Sequence, residues 1–127
     1  MKARALVFEG PLCVRVHEES LSAPDAGEVR VASLVSAISA GTELLFYRGR
    51  VAEGLPLDEC LGALGETFHY PVAYGYAVVG EVIELGEGVG EHWLGRRVFA
   101  FQPHFLRVRL CQNSSDTSGI VPPNFPV

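Results

Sequence analysis

The sequence predicts a mainly β fold. Its apolar residues recur with a period of two in six short segments, and Gly, Pro, Asp and Ser gather between those segments. At 127 residues with 48% hydrophobic content, the chain is long enough for one core without disulfides or a structural metal.

The segments run in order. "ARALVF" is the first strand. In "LCVRVH", Leu12, Val14 and Val16 share one face while Cys13, Arg15 and His17 share the other, the pattern of a half-buried strand. "SAPDAGE" turns the chain into a third strand, "GEVRVASLVSA". "GTELLFYRG" breaks the alternation: Leu44, Leu45 and Tyr47 suit a turn or two of helix over residues 42 to 48, with Thr42 as cap and Gly49 as stop. "VAEGLPLDECLGALGETFHYP" has no period and reads as a long surface excursion. Strands resume at "YAVVGEVIEL", "RRVFAF" and "LRVRL", the last with Leu106, Val108 and Leu110 inward and Arg107 and Arg109 outward. The closing "CQNSSDTSGIVPPNFPV" reads as a strand or two and an exit linker, as in one part of a larger protein.

Ten Lys plus Arg against fifteen Asp plus Glu give a formal charge of −5 without basic blocks, which argues against nucleic acid as a partner. No segment reaches the roughly 18 apolar residues of a membrane helix, and the start lacks a signal-peptide core, so no membrane partner and a cytoplasmic location are expected. Cys13, Cys60 and Cys111 are few and far apart, which suits free thiols.

The stretch "PVAYGYAVVGEVIELGEGVG" resembles the start of a nucleotide site, but a dinucleotide fingerprint needs a helix after its glycines to hold the pyrophosphate. Here Gly86, Gly88 and Gly90 are followed by "EHWLGRRVFAF", another strand, and Glu87 and Glu91 would repel a diphosphate. The expectation is a loop with glycines at positive φ and no cofactor-binding residue on this chain.

Three segments in order carry a resemblance. "SAISAGTELLFYRG" resembles the GICGTDxHxxxG segment of the medium-chain dehydrogenase/reductase superfamily, the alcohol dehydrogenase and quinone reductase relatives. "PVAYGYAVVGEV" resembles its PxxxGHExxGxV, and "LGRRVFAF" is similar to its VGDRVxxx. The wording "SAISAGTE" is closest to the branch that includes bacteriochlorophyllide dehydrogenase and threonine dehydrogenase-like proteins. The resemblance implies a GroES-like, partly open β-barrel with one or two short helices over residues 1–127. It further implies the substrate-side domain of an NAD(P)-dependent oxidoreductase, with a small-molecule alcohol or carbonyl as substrate. The Rossmann cofactor domain would lie outside this chain, so the chain alone should not turn over. A homo-oligomer is compatible with the resemblance. The alternative is a free-standing GroES-like binding module without redox activity.

The departures bear on the metal. Ser39 or Ala40 falls where zinc members of the superfamily have Cys, and Tyr76 and Ala77 replace their His and Glu. A neutral hydroxyl is a poor zinc ligand, and the four-cysteine structural lobe is represented by Cys111 alone, so no zinc is expected. Thr42 matches the hydroxyl that passes the substrate's proton toward solvent, with Glu43 beside it. Both also have a local reading, as helix cap and first-turn acid. Tyr76 could hydrogen-bond a substrate carbonyl in place of the metal, or be an aromatic core residue like Tyr70 and Tyr74. Ser39, Glu43, Tyr47 and His104 are candidates for the cleft wall.

Overall fold

The computed structural model describes residues 1–54 and 67–111 of the chain. Their fold is mainly β. Strands β1 (Lys2–Gly10), β2 (Cys13–Ser20) and β3 (Glu28–Ala37) precede one helix, α1 (Thr42–Tyr47), and β4 (Ala77–Leu85), β5 (Arg97–Ala100) and β6 (Arg107–Cys111) follow it. A single 3-10 turn, Glu91–Trp93, separates β4 from β5. β1 and β2 form an antiparallel pair, and the larger sheet has the order β5-β4-β3-β6 with every pairing antiparallel. The barrel is partly open. Its two sheets are joined through isolated pairings of Ala5 with Phe105 and Phe8 with Val72. The expected long excursion falls largely on residues 55–66 and the expected exit linker on 112–127, outside the described residues.

Alternation explains the core of the larger sheet. Val29, Val31, Val82, Val98, Ala100 and Leu110 pack into one buried cluster beneath Leu85, Val89, Trp93 and Phe105. Between β3 and β4 the pairing shifts register twice, once at Arg30/Val31 and again at Ser33/Val35. Such bulges bend a strand and re-aim its side chains. The first half of β3 is flanked by β4 and β6, with Val29, Arg30 and Val31 buried; β6 pairs only as far as Ala32. Beyond that point Leu34 and Val35 are 57% and 61% exposed. Buried Arg30 donates to its cross-strand partner Glu84 and to the Ser22 carbonyl.

A second cluster is aromatic. Phe46 of α1 stacks on Tyr74 at 4.2 Å between centroids and meets Phe68 edge-on at 4.9 Å, with Phe8 of β1 at 6.2 Å. Burial and the Glu53 carboxylate raise the Tyr70 phenol above its usual pKa, which keeps it a neutral donor to the Phe46 carbonyl. Gly49, at φ 66, ends α1 as expected.

Four expectations need correction. Leu12 is not in a strand but in the turn between β1 and β2, at φ 59, where its amide donates to the Tyr47 carbonyl. Val14 and Val16 stay 37% and 63% exposed because β2 is the outer strand of a two-stranded sheet. Leu106 is 44% exposed, since it precedes the paired part of β6 and lies beside the open half of β3. Among the three glycines after β4, only Gly88 has positive φ. Gly86 is glycine for space: a Cβ there would lie 1.8 Å from the Asp25 carbonyl oxygen.

Because Phe46 joins helix to strand in the aromatic cluster, Phe46→Ala should cost about 3–5 kcal/mol in urea unfolding. Gly86→Ala should also lower the midpoint clearly, by forcing apart two backbones, whereas alanine at the open Gly27 should act only through its φ.

Candidate functional site

The site grows from the start of α1. The helix cap is Gly41, with no side-chain cap bond, so Thr42 is the first helical residue and not the cap. Ser39 supplies the missing partner from outside the helix. Its hydroxyl accepts the Thr42 amide at 3.3 Å, while its own amide donates to the Glu43 carboxylate. This reciprocal arrangement fixes Glu43 over the first turn, where an acid also complements the helix dipole.

Glu43 is buried, 2% exposed, and its other carboxylate oxygen meets Nε2 of His104. Both oxygens are therefore engaged, as burial of a carboxylate requires. His104 is 8% exposed, and its Nδ1 lies 2.8 Å from the Ser36 hydroxyl on the open half of β3. Its backbone is fixed as well. The His104 carbonyl accepts the Leu6 amide at 3.0 Å, the Leu106 amide donates to the Arg4 carbonyl at 2.7 Å, and the Ser33 amide donates to the Leu106 carbonyl at 2.9 Å. Gly75 lies against the ring, where a Cβ would come within 2.8 Å of Nε2.

The two tyrosines follow on the same segment. Tyr74 is buried under Phe46, and its hydroxyl donates to that of Tyr76 at 2.7 Å, the rings meeting edge-on at 5.3 Å. Tyr76 is half-buried immediately before β4. Tyr47 packs against the same aromatic cluster.

Among the sequence candidates, hydrogen bonds link Ser39, Thr42, Glu43 and His104 into one network, while Tyr47 and Tyr76 belong to the adjoining aromatic cluster. Gly75 joins the two, lying between the tyrosines in sequence and against His104 in space. Ser36 escaped sequence reasoning, since nothing in "SLVSAIS" sets one serine apart from the others. Beside Ser36 and His104 opens a groove of about 260 Å³ walled by Leu6, Val16, Leu34 and Leu106.

The described residues offer a dinucleotide no cradle at Gly86, Gly88 and Gly90. The space beside Gly86 is filled by the backbones of Asp25 and Glu28, and the chain passes through the 3-10 turn into β5, with no helix N-terminus to face a pyrophosphate. At the positions where zinc ligands would stand, the Ser39 hydroxyl is engaged at the helix start and Tyr76 with Tyr74. No group of three or more His, Cys, Asp or Glu able to hold a metal occurs among the described residues. None of their helices is long and apolar enough to cross a membrane.

No protein-family model matches the sequence. The chain is 33% identical over 99 residues, 78% of its length, to the 2-desacetyl-2-hydroxyethyl bacteriochlorophyllide A dehydrogenase of Cereibacter sphaeroides. The chain belongs to the medium-chain dehydrogenase/reductase superfamily. It spans about a quarter, 27%, of that relative's length. Among solved structures, a Bacillus thuringiensis protein described as an NADPH:quinone reductase is similar over 98% of this chain and 34% of its own, with TM-score 0.68 and 19% identity. The human synaptic vesicle membrane protein VAT-1 homolog-like protein is similar over 100% and 37%, with TM-score 0.65 and 19% identity. An Escherichia coli alcohol dehydrogenase crystallised with NADH is 27% identical over 78% of this chain and 24% of its own, with TM-score 0.55. Within the superfamily, this chain has the fold of the N-terminal GroES-like domain.

Gly75→Ala should push the His104 ring from Glu43 and leave buried polar groups without partners, at about 1–3 kcal/mol each. A lowered melting temperature with a shifted His104 ring resonance would report it; an unchanged ring environment would contradict the packing described.

Proposed function

We propose that residues 1–127 form the substrate-side domain of a zinc-independent NAD(P)-dependent oxidoreductase that acts on a small-molecule alcohol or carbonyl. The observation that carries this reading is the 33% identity to a dehydrogenase over most of the chain. The cofactor would be held by residues outside these 127, since Gly86 is closed off by the backbones of Asp25 and Glu28 and the loop leads through a 3-10 turn into β5. When bound there, NAD(P) supplies or accepts the hydride.

This chain's own part is to orient the substrate oxygen and handle its proton. The Tyr76 oxygen accepts a hydrogen bond from Tyr74, which leaves the Tyr76 proton free to be donated elsewhere, and accepting one bond strengthens donation of the next. Tyr76 thus takes the part of an oxyanion donor, and Thr42 is the hydroxyl through which the substrate proton leaves. Ser39, Glu43 and His104 hold the start of α1 in place, and Tyr47 packs behind it.

The test is turnover of a panel of aldehydes with NADH and NADPH by a protein that contains this chain and its cofactor half. Tyr76→Phe should lower kcat by roughly 10²- to 10³-fold, as loss of one oxyanion donor does, while leaving the fold intact and lowering the melting temperature only by the loss of the Tyr74 bond. Thr42→Val should lower it in parallel. Unchanged turnover in both variants would reduce this domain to scaffold. The 127-residue chain alone should show no micromolar heat of binding for either cofactor in titration calorimetry, and purified without an affinity tag it should carry no stoichiometric zinc.

A further inference from the structure

We propose that Ser36 is a nucleophile and that the groove beside it takes esters with a short apolar acyl chain, passing the acyl group to Ser36 and then to water. This activity is independent of the oxidoreductase reading.

Two side chains from neighbouring parts of the sequence, Ser36 and Glu43, meet the ring of the distant His104 at its two nitrogens. The Ser36 hydroxyl is exposed at the groove, 2.8 Å from Nδ1 of His104, and the opposite ring nitrogen faces the buried carboxylate of Glu43. A nucleophile on a base that is itself oriented by a third group is the pattern of an activated hydroxyl. The tautomer follows from the partners. An ionised carboxylate only accepts, so in the neutral imidazole the proton sits on Nε2 and the Nδ1 lone pair is left for the Ser36 proton. The ring cannot swing freely, because Gly75 lies against it and the His104 backbone is bonded to β1.

The bulge at Ser33/Val35 and the end of the β6 pairing at Ala32 leave this half of β3 open to solvent. The groove walls are apolar, with Val16, Leu34 and Leu106 at 63%, 57% and 44% exposure. Arg4 is the one Arg or Lys among the described lining residues, a cation at the edge of an otherwise uncharged acyl site.

Ser36 Oγ attacks the ester carbonyl while its proton passes to His104 Nδ1. The carbon–oxygen bond to the alcohol breaks, and that proton leaves with the alcohol. Water then gives a proton to Nδ1 and attacks the acyl-serine, so that the carboxylic acid departs and the proton returns to Ser36. Glu43, at the opposite ring nitrogen, orients the imidazole and stabilises the charge it takes up in both halves.

The 127-residue chain is treated with an alkyl fluorophosphonate and, separately, with p-nitrophenyl butyrate. The proposal expects a stoichiometric phosphonyl adduct on the peptide containing Ser36, with ester hydrolysis lost in Ser36→Ala. In His104→Gln the labelling should slow by at least about 100-fold, the lower range of general-base contributions. Ser36 is exposed, so Ser36→Ala tests the idea even where His104→Gln does not fold. No adduct on Ser36, or hydrolysis that survives Ser36→Ala unchanged, overturns the proposal.

Discussion

The fold depends on how one short segment, residues 104–106, is held between two sheets that otherwise have few direct bonds. It bonds to β1 through His104 and Leu106 and to β3 through the Leu106 carbonyl, and Ser33 also donates its hydroxyl to the Phe105 carbonyl. Backbone polar groups in such a place must be paired, because a buried amide or carbonyl without a partner costs as much as the bond it forgoes. The segment therefore has one position only, and whatever its side chains do is done with the precision of the sheets on either side.

That precision matters most for the pair of Glu43 and His104, which are 61 positions apart in the chain. A carboxylate in the interior is tolerable only when its oxygens are engaged, and here one is met by the Ser39 amide and the other by the imidazole. The same two bonds tie the start of α1 to the stitched segment. Helix position, ring orientation and the burial of charge are thus one constraint, and the aromatic cluster built on Phe46 gives it an apolar backing.

Much of this was legible in the sequence. Period-two alternation marks the six strands of the described residues, "GTELLFYRG" marks the helix, and three spaced motifs point to the superfamily. Gly49 was recognisable as a stop because an αL residue there is a local matter. What failed was non-local. Thr42 looked like a cap by residue type, yet Ser39, three positions earlier, performs that service. Leu12 and Leu106 matched the alternation but lie just outside it, in a turn and in the stitched segment. Ser36 had no signal at all, since its environment is created by a bulge and by a histidine 68 positions away.

β3 ends as two kinds of strand in one. Val29 to Ala32 have a partner on each side, whereas the residues beyond have β4 on one side and open groove on the other. Amide protons in the first part can leave only when the whole sheet opens, while those in the second are released by smaller, local openings. A single ten-residue strand therefore spans two levels of protection against solvent deuterium. The boundary, at the end of the β6 pairing, divides the part that holds the molecule together from the part that can yield to a guest.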